Sequence, residues 1–200
     1  MQIVLASGNA GKLAEFETLL HGGGLVLRPQ SAFGVDEIDE TGLSFVENAL
    51  LKARHAARES GMAALADDSG LCVDVLDGAP GLHSARYAGT HGDSAANIAR
   101  LLEQLRAFPD ASRTARFVCV LVLLRHADDA QPIIAEGVWE GRILSQPQGE
   151  NGFGYDPVFF VPDQGCSAAQ LTLEVKNRIS HRGRALQQLQ QRLRQAGLMS

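Results

Sequence analysis

Eight consecutive apolar residues, FVCVLVLL at 117–124, leave the chain few ways to fold. The run is far too short to cross a bilayer and reads as a buried central strand. Around it, ARFVCVLVLLRH and PIIAEGVWEGRIL predict two long strands, antiparallel and joined by a loop. Upstream, QIVLA reads as a strand, Gly11 to Leu20 as a helix, and LVLRP as a strand stopped by Pro29. LSFVENALLKARHAARES predicts a helix ending at Gly61, and AALADDSGLCVDVL predicts strand, turn, strand. Residues 77–92 are glycine-rich and irregular; DSAANIARLLEQLRAF is a helix closed by Pro109. SQPQGENGFGYDPVFFVP is a glycine-rich loop with a short strand, and SHRGRALQQLQQRLRQAG is a closing helix. This order implies an α/β fold, a mixed central sheet flanked by helices. The 200 residues show no repeat or long linker, so one domain over 1–200 is expected, with two lobes around a cleft.

The N-terminus lacks a basic region and a cleavage-like site, so no signal peptide is expected. Three cysteines, Cys72, Cys119 and Cys166, have no CxxC spacing, which suggests packed, reduced thiols in the cytoplasm. A net charge of −5 argues against non-specific nucleic-acid binding, and the lack of a long apolar span argues against a membrane partner. It leaves room for a small anionic ligand at a local cluster of cations. Of 18 basic residues only three are lysine: Lys12, Lys52 and Lys176. A compact ammonium and a guanidinium are not interchangeable where a phosphate must be met.

SGNAGK at 7–12 lacks the spacing and the hydroxyl of a P-loop, yet shares its physics. Ser7 and Asn9 can cap the helix that follows, and Gly8 and Gly11 let a ligand approach the backbone. Free N–H groups at a helix start attract an anion, which would also offset the cost of Lys12 in the first turn. The alternative is an ordinary capped βα turn with an exposed lysine. In the helix from Leu43, Phe45, Ala49, Lys52 and Ala56 share a face with Asn48. Lys52 then lines a cleft, or packs its stem and sends its head to water.

Asp67 and Asp68 are adjacent carboxylates that repel unless a cation neutralises them. On a strand they point to opposite faces; in a turn before Ser69 both reach one cleft. Magnesium takes one or two carboxylates plus substrate phosphates, and Glu40 offers a further ligand. In GENGFGYDP, Phe153 and Tyr155 are either stacking platforms for a base or rings tucked into the core. His181 and Arg182 follow Ser180 in a first helical turn, where cations are unfavourable unless they face a ligand.

SGNAGK, ETGLSFVENALLKA, ADDSGL, GAPGLHSARYAG, GFGYDP and SHRGRA resemble, in order, the motifs of the inosine/xanthosine triphosphate pyrophosphatases. The match covers nearly the whole chain, from about residue 2 to residue 194, and includes all three lysines. Ser7 stands where many members have threonine, which keeps the hydroxyl. The resemblance implies an elongated two-lobed α/β fold, a homodimer, and Mg2+-dependent cleavage of non-standard purine triphosphates (dITP, ITP, XTP) to monophosphate and pyrophosphate. Carried over by position, Ser7, Gly8, Asn9, Ala10, Gly11 and Lys12 bind the triphosphate, and Asp68 is the general base. Glu40 and Asp68 hold the metal, while Ser69, Phe153, Gly154, Tyr155, Asp156, Lys176, His181 and Arg182 bind nucleotide.

The chemistry expected is attack of a metal-activated water on the α-phosphorus, with Lys12 and Lys52 offsetting oxygen charge. Asp67 or Asp68 takes the proton; the spacing alone does not separate them. Donors from His181, Arg182 or Lys176 would donate to the C6 oxygen of hypoxanthine or xanthine and oppose the amino group of adenine. Two other readings fit the motifs: a pyrophosphatase for pyrimidine or other modified triphosphates, and a nucleotide sensor without turnover.

Overall fold

Ile3, Val4 and Leu5 have no exposed surface, so β1 (Gln2–Ala6) lies inside its sheet. In the computed structural model, which describes residues 2–8, 12, 15, 16 and 25–199, β1 pairs parallel with a neighbour on each side. These are β2 (Val26–Pro29), with Gln2 opposite Val26, and β3 (Ala64–Val73), with Val4 opposite Ala64. Parallel neighbours need a crossover, and helix α1 (Phe45–Ser60) lies between β2 and β3 in the chain. The sheet continues with β4 (Thr114–Leu124), β5 (Ile133–Ile143), β6 (Phe159–Val161) and β7 (Cys166–Ser167), in the order β2-β1-β3-β4-β5-β6-β7. β5, β6 and β7 pair antiparallel, so the seven-stranded sheet is mixed, as expected.

Among the described residues, the further α-helices are α2 (Ser94–Leu105), α3 (Leu173–Ile179) and α4 (His181–Gln195). Among the described residues no helix is long and apolar enough to cross a membrane. The expected helix from Gly11 to Leu20, and the site residues Asn9, Ala10 and Gly11, lie largely or wholly outside the described residues; Lys12, Glu15 and Phe16 have helical backbone.

The chain groups into two compact units. The first comprises residues 1–68, 119–137 and 181–200. Its core joins Ile3 and Leu5 to Phe16, Leu65, Cys119, Leu121, Leu123 and the α4 residues Ala185, Leu186, Leu189 and Leu193. Val120, Val122 and Leu124 are also buried, so β4 is covered on both faces here, as its composition demands. Gly137 of β5 makes this packing possible: a Cβ there would overlap the His181 carbonyl at the start of α4. The second unit comprises residues 69–118 and 138–180. Its core is built on Phe117, Trp139 and Phe159, with Ile98, Leu101 and Leu105 of α2 packed in.

Three expectations need correction. AALADDSGLCVDVL is not strand, turn, strand but one ten-residue strand running from Ala64 to Val73. Ser69-Gly70 has turn chemistry, but an interior strand flanked by β1 and β4 satisfies its backbone by staying extended. Helix α2 ends at Leu105, short of Pro109, because Arg106, Ala107 and Phe108 turn their N–H groups to carbonyls three residues back. Helix α3 was not anticipated, although Thr172 caps it by accepting from the Val175 N–H at 3.3 Å.

Candidate active site

Because β3 is continuous, Asp67 and Asp68 project to opposite faces and acquire different partners. Both belong to the first unit, and both are buried, at 1% and 6% exposure.

Asp67 is held by cations. Lys12 donates to its Oδ1, while Arg182 Nε (3.1 Å) and the Cys119 thiol (3.3 Å) donate to Oδ2. Arg182 also forms an ion pair with Glu15, so its guanidinium links a residue near the N-terminus to the acidic pair. Burial and the Asp67 charge push the Cys119 thiol well above its ordinary range, so it stays protonated and donates.

Asp68 has a lighter escort. Its Oδ1 accepts from Lys52 Nζ at 2.8 Å, and the same ammonium donates to Glu40 Oε1 at 2.6 Å. Burial lifts the Asp68 carboxyl to about 6, against the pull of Lys52; Glu40 adds to the rise and Lys12 opposes it. Burial lowers Lys52, but Asp68 and Glu40 outweigh it and leave the ammonium above its usual range.

Local sequence places Lys52 and Glu40. Ser44 caps α1 by accepting from the Glu47 N–H, and Glu47 reaches back to the Leu43 N–H at 2.9 Å. Buried Asn48 accepts from the Gly42 N–H at 2.8 Å. A Cβ on Gly42 would collide with Glu47 and Asn48, so glycine lets this strap lie tight on the helix. Lys52, one turn beyond Asn48, then projects toward Glu40 and Asp68.

Ser7 and Gly8 follow β1 directly; Ser7 is half-buried and Gly8 is exposed. Ser69 continues β3. His181 and Arg182 open α4, both buried, and Arg182 takes part in the Asp67 cluster.

The second unit gathers the aromatic loop. Asp156 accepts from Lys176 Nζ at 2.7 Å and from the Phe153 N–H at 2.8 Å, and a Cβ on Gly152 would meet its carboxylate. The Lys176 ammonium lies 4.5 Å from the centroid of the Phe153 ring, which is 39% exposed. Gly154 sits in the left-handed region at φ 62°. Tyr155 departs from the stacking reading. It is buried in the core, and its hydroxyl donates to the Ser84 carbonyl at 2.9 Å. Phe153 thus offers a ring to solvent, and Tyr155 anchors the loop beneath it.

Glu40 and Asp68 are suited to hold a divalent cation. Their carboxylates already converge on one ammonium, and both are hard oxygen donors. Among the described residues no group of three or more histidine, cysteine, aspartate or glutamate side chains could hold a metal. In the same unit, Lys12, Lys52 and Arg182 face Glu15, Glu40, Asp67 and Asp68. These three cations are matched against four carboxylates.

Residues 3–192 match the Ham1 family. The chain belongs to that family. This Ham1 protein is 62% identical over 188 residues to a dITP/XTP pyrophosphatase of Xylella fastidiosa (strain 9a5c), covering 94% of each chain. It is 54% identical over 198 residues to a dITP/XTP pyrophosphatase of Vibrio vulnificus (strain YJ016), covering 99% of each. Among solved structures, a HAM1 protein from Coxiella burnetii superposes with a TM-score of 0.92 at 50% identity, covering 98% of this chain and 99% of that one. A nucleoside-triphosphatase / dITP/XTP pyrophosphatase from Mycobacterium abscessus gives 0.76 at 46% identity, covering 94% and 97%.

Within this Ham1 chain, sequence reasoning missed Glu15 and Cys119. Glu15 sits in an amphipathic stretch where a glutamate is unremarkable, and its partner is 167 residues away. Cys119 does carry a signal: it is the one hydrogen-bond donor side chain in FVCVLVLL.

Proposed function

We propose that this Ham1 protein hydrolyses non-standard purine nucleoside triphosphates, dITP and XTP among them, to the monophosphate and pyrophosphate. The observation that carries this reading is the meeting of Lys52, Glu40 and Asp68 one residue along β3 from Asp67, with the Lys12 ammonium bound to Asp67 and close enough to act on the Asp68 charge. Near-full-length identity to proteins named dITP/XTP pyrophosphatase supports the choice of substrate.

The two carboxylates divide the work. Asp67, engaged by Lys12, Arg182 and Cys119, anchors Lys12. Asp68, whose carboxyl burial lifts to about 6 without a metal, takes the proton of the attacking water. Lys12 and Lys52 offset the charge that grows on the phosphate oxygens as pyrophosphate leaves. Glu40 and Asp68 would hold Mg2+; when bound, such an ion polarises phosphate oxygens and acidifies water. Phe153 supplies a stacking face, and Lys176, whose ammonium lies over that ring, is a donor for a C6 oxygen. His181 and Arg182 remain the further donors for the base, with Ser7 to Lys12 and Ser69 toward the phosphates. A homodimer in the cytoplasm completes the proposal, and sedimentation velocity checks the dimer.

Pyrophosphate release across dITP, XTP, dATP, dGTP, dCTP and dTTP, with and without Mg2+, tests the reading. Turnover should favour dITP and XTP and require the metal. A preference for pyrimidines, or binding without release, would replace it with one of the other readings. Asp68→Asn should lower kcat by about 10²- to 10⁴-fold while substrate still binds.

A further inference from the structure

We propose that Cys119 is a positioning residue for this reaction: its thiol donates to Asp67 and holds that carboxylate where it fixes Lys12. The inference rests on the reading of Lys12 as a phosphate-binding group.

Cys119 lies on β4 with no exposed surface, and its Sγ is 3.3 Å from Asp67 Oδ2. The neighbours it shares a strand face with, Leu121 and Leu123, can only pack. A valine, larger by about one methyl group, suits an apolar strand as well, so strand preference alone does not call for sulfur. What a thiol adds is a donor. Asp67 is almost fully buried, and a buried carboxylate oxygen deprived of a donor loses more than a surface one. Arg182 Nε reaches the same oxygen at 3.1 Å, so thiol and guanidinium together set the rotation of the carboxylate. That rotation aims Oδ1 at the Lys12 ammonium. The thiol thus acts on the phosphate through two relays, Asp67 and Lys12, and touches no substrate itself.

The test compares Cys119→Val, which drops the donor and adds about one methyl group, with Cys119→Ser, which keeps a donor. Cys119→Ala stands in if valine is not accommodated, and thermal melts identify folded variants first. Two quantities are read: kcat/KM for dITP, and the affinity for inorganic tripolyphosphate by calorimetry. Loss of one net hydrogen bond predicts a fall of about 3- to 10-fold in both for Cys119→Val, with Cys119→Ser restored to within about 2-fold of wild type. Wild-type values in Cys119→Val overturn the inference. So does a Cys119→Ser variant as impaired as Cys119→Val, which would make the role one of packing. If the wild type binds tripolyphosphate but releases no pyrophosphate from dITP, the proposed function fails while the affinity ratio still decides the role of the thiol. No tripolyphosphate binding by the wild type overturns the inference, because Lys12 then meets no phosphate.

Discussion

Lys176 and Asp156 form an ion pair with both side chains nearly fully buried, at 6% and 3% exposure. Such a pair adds little net stability, but breaking it strands a charge. Lys176→Met should therefore destabilise the protein by about 3–5 kcal/mol, read by urea melts. Asp156→Asn in the same chain should recover a large part of that loss, since the stranded charge is gone. A double variant as unstable as Lys176→Met would show that the methylene stem, not the charge, was the contribution. Both variants should also weaken purine binding, because Lys176 lies over the exposed Phe153 ring. Asp67 and Asp68 make the complementary point about neighbours in sequence. One register step on β3 separates a carboxylate clamped by two cations from one lifted to about 6.

The turn between β4 and β5 is organised by a single carboxylate. Asp129 accepts from the Arg125 side chain and from the backbone N–H groups of Arg125 and Gln131, at 3.0 Å and 2.9 Å. The Arg125 hydrogen bond, helped by the two backbone donors and opposed by burial, holds this carboxyl well below the usual aspartate range. A depressed carboxyl stabilises the fold above its unfolded value and loses that contribution as pH falls toward its folded value. Asp129→Asn should lower Tm at pH 7, and the gap to wild type should close as the pH is taken below about 4. A gap that persists at low pH would assign the effect to the shape of the turn. The contact of β5 with α4 depends instead on missing atoms. Gly137→Ala puts a methyl group into the His181 carbonyl and the Ala185 N–H, so it should cost about 1–3 kcal/mol or shift α4. Since α4 carries Arg182, the same variant should reduce kcat/KM even at temperatures where it is fully folded.

All three cysteines are free, with Cys119 buried and Cys72 and Cys166 half-buried. The fold therefore owes nothing to cross-links, and Tm should be the same with and without reductant; a fall in reductant would contradict the free thiols. What holds the chain is two apolar cores, one in each unit, both drawn from segments far apart in sequence. Most strands, most helix limits and the residue types able to do chemistry were legible from local pattern. Apolar runs, period-3.6 stripes, the capping sequence before α1 and the glycine after it all act over a few residues. Which side chains meet was not legible in that way. The continuity of β3 came from strands on either side of it, and it sent Asp67 and Asp68 to different partners. The pairing of Glu15 with Arg182, the donor role of Cys119 and the burial of Tyr155 beside an exposed Phe153 were likewise settled by packing. Short-range forces write the elements into the chain, whereas a buried charge takes its partner from whatever the folded sheet brings within about 3 Å of it.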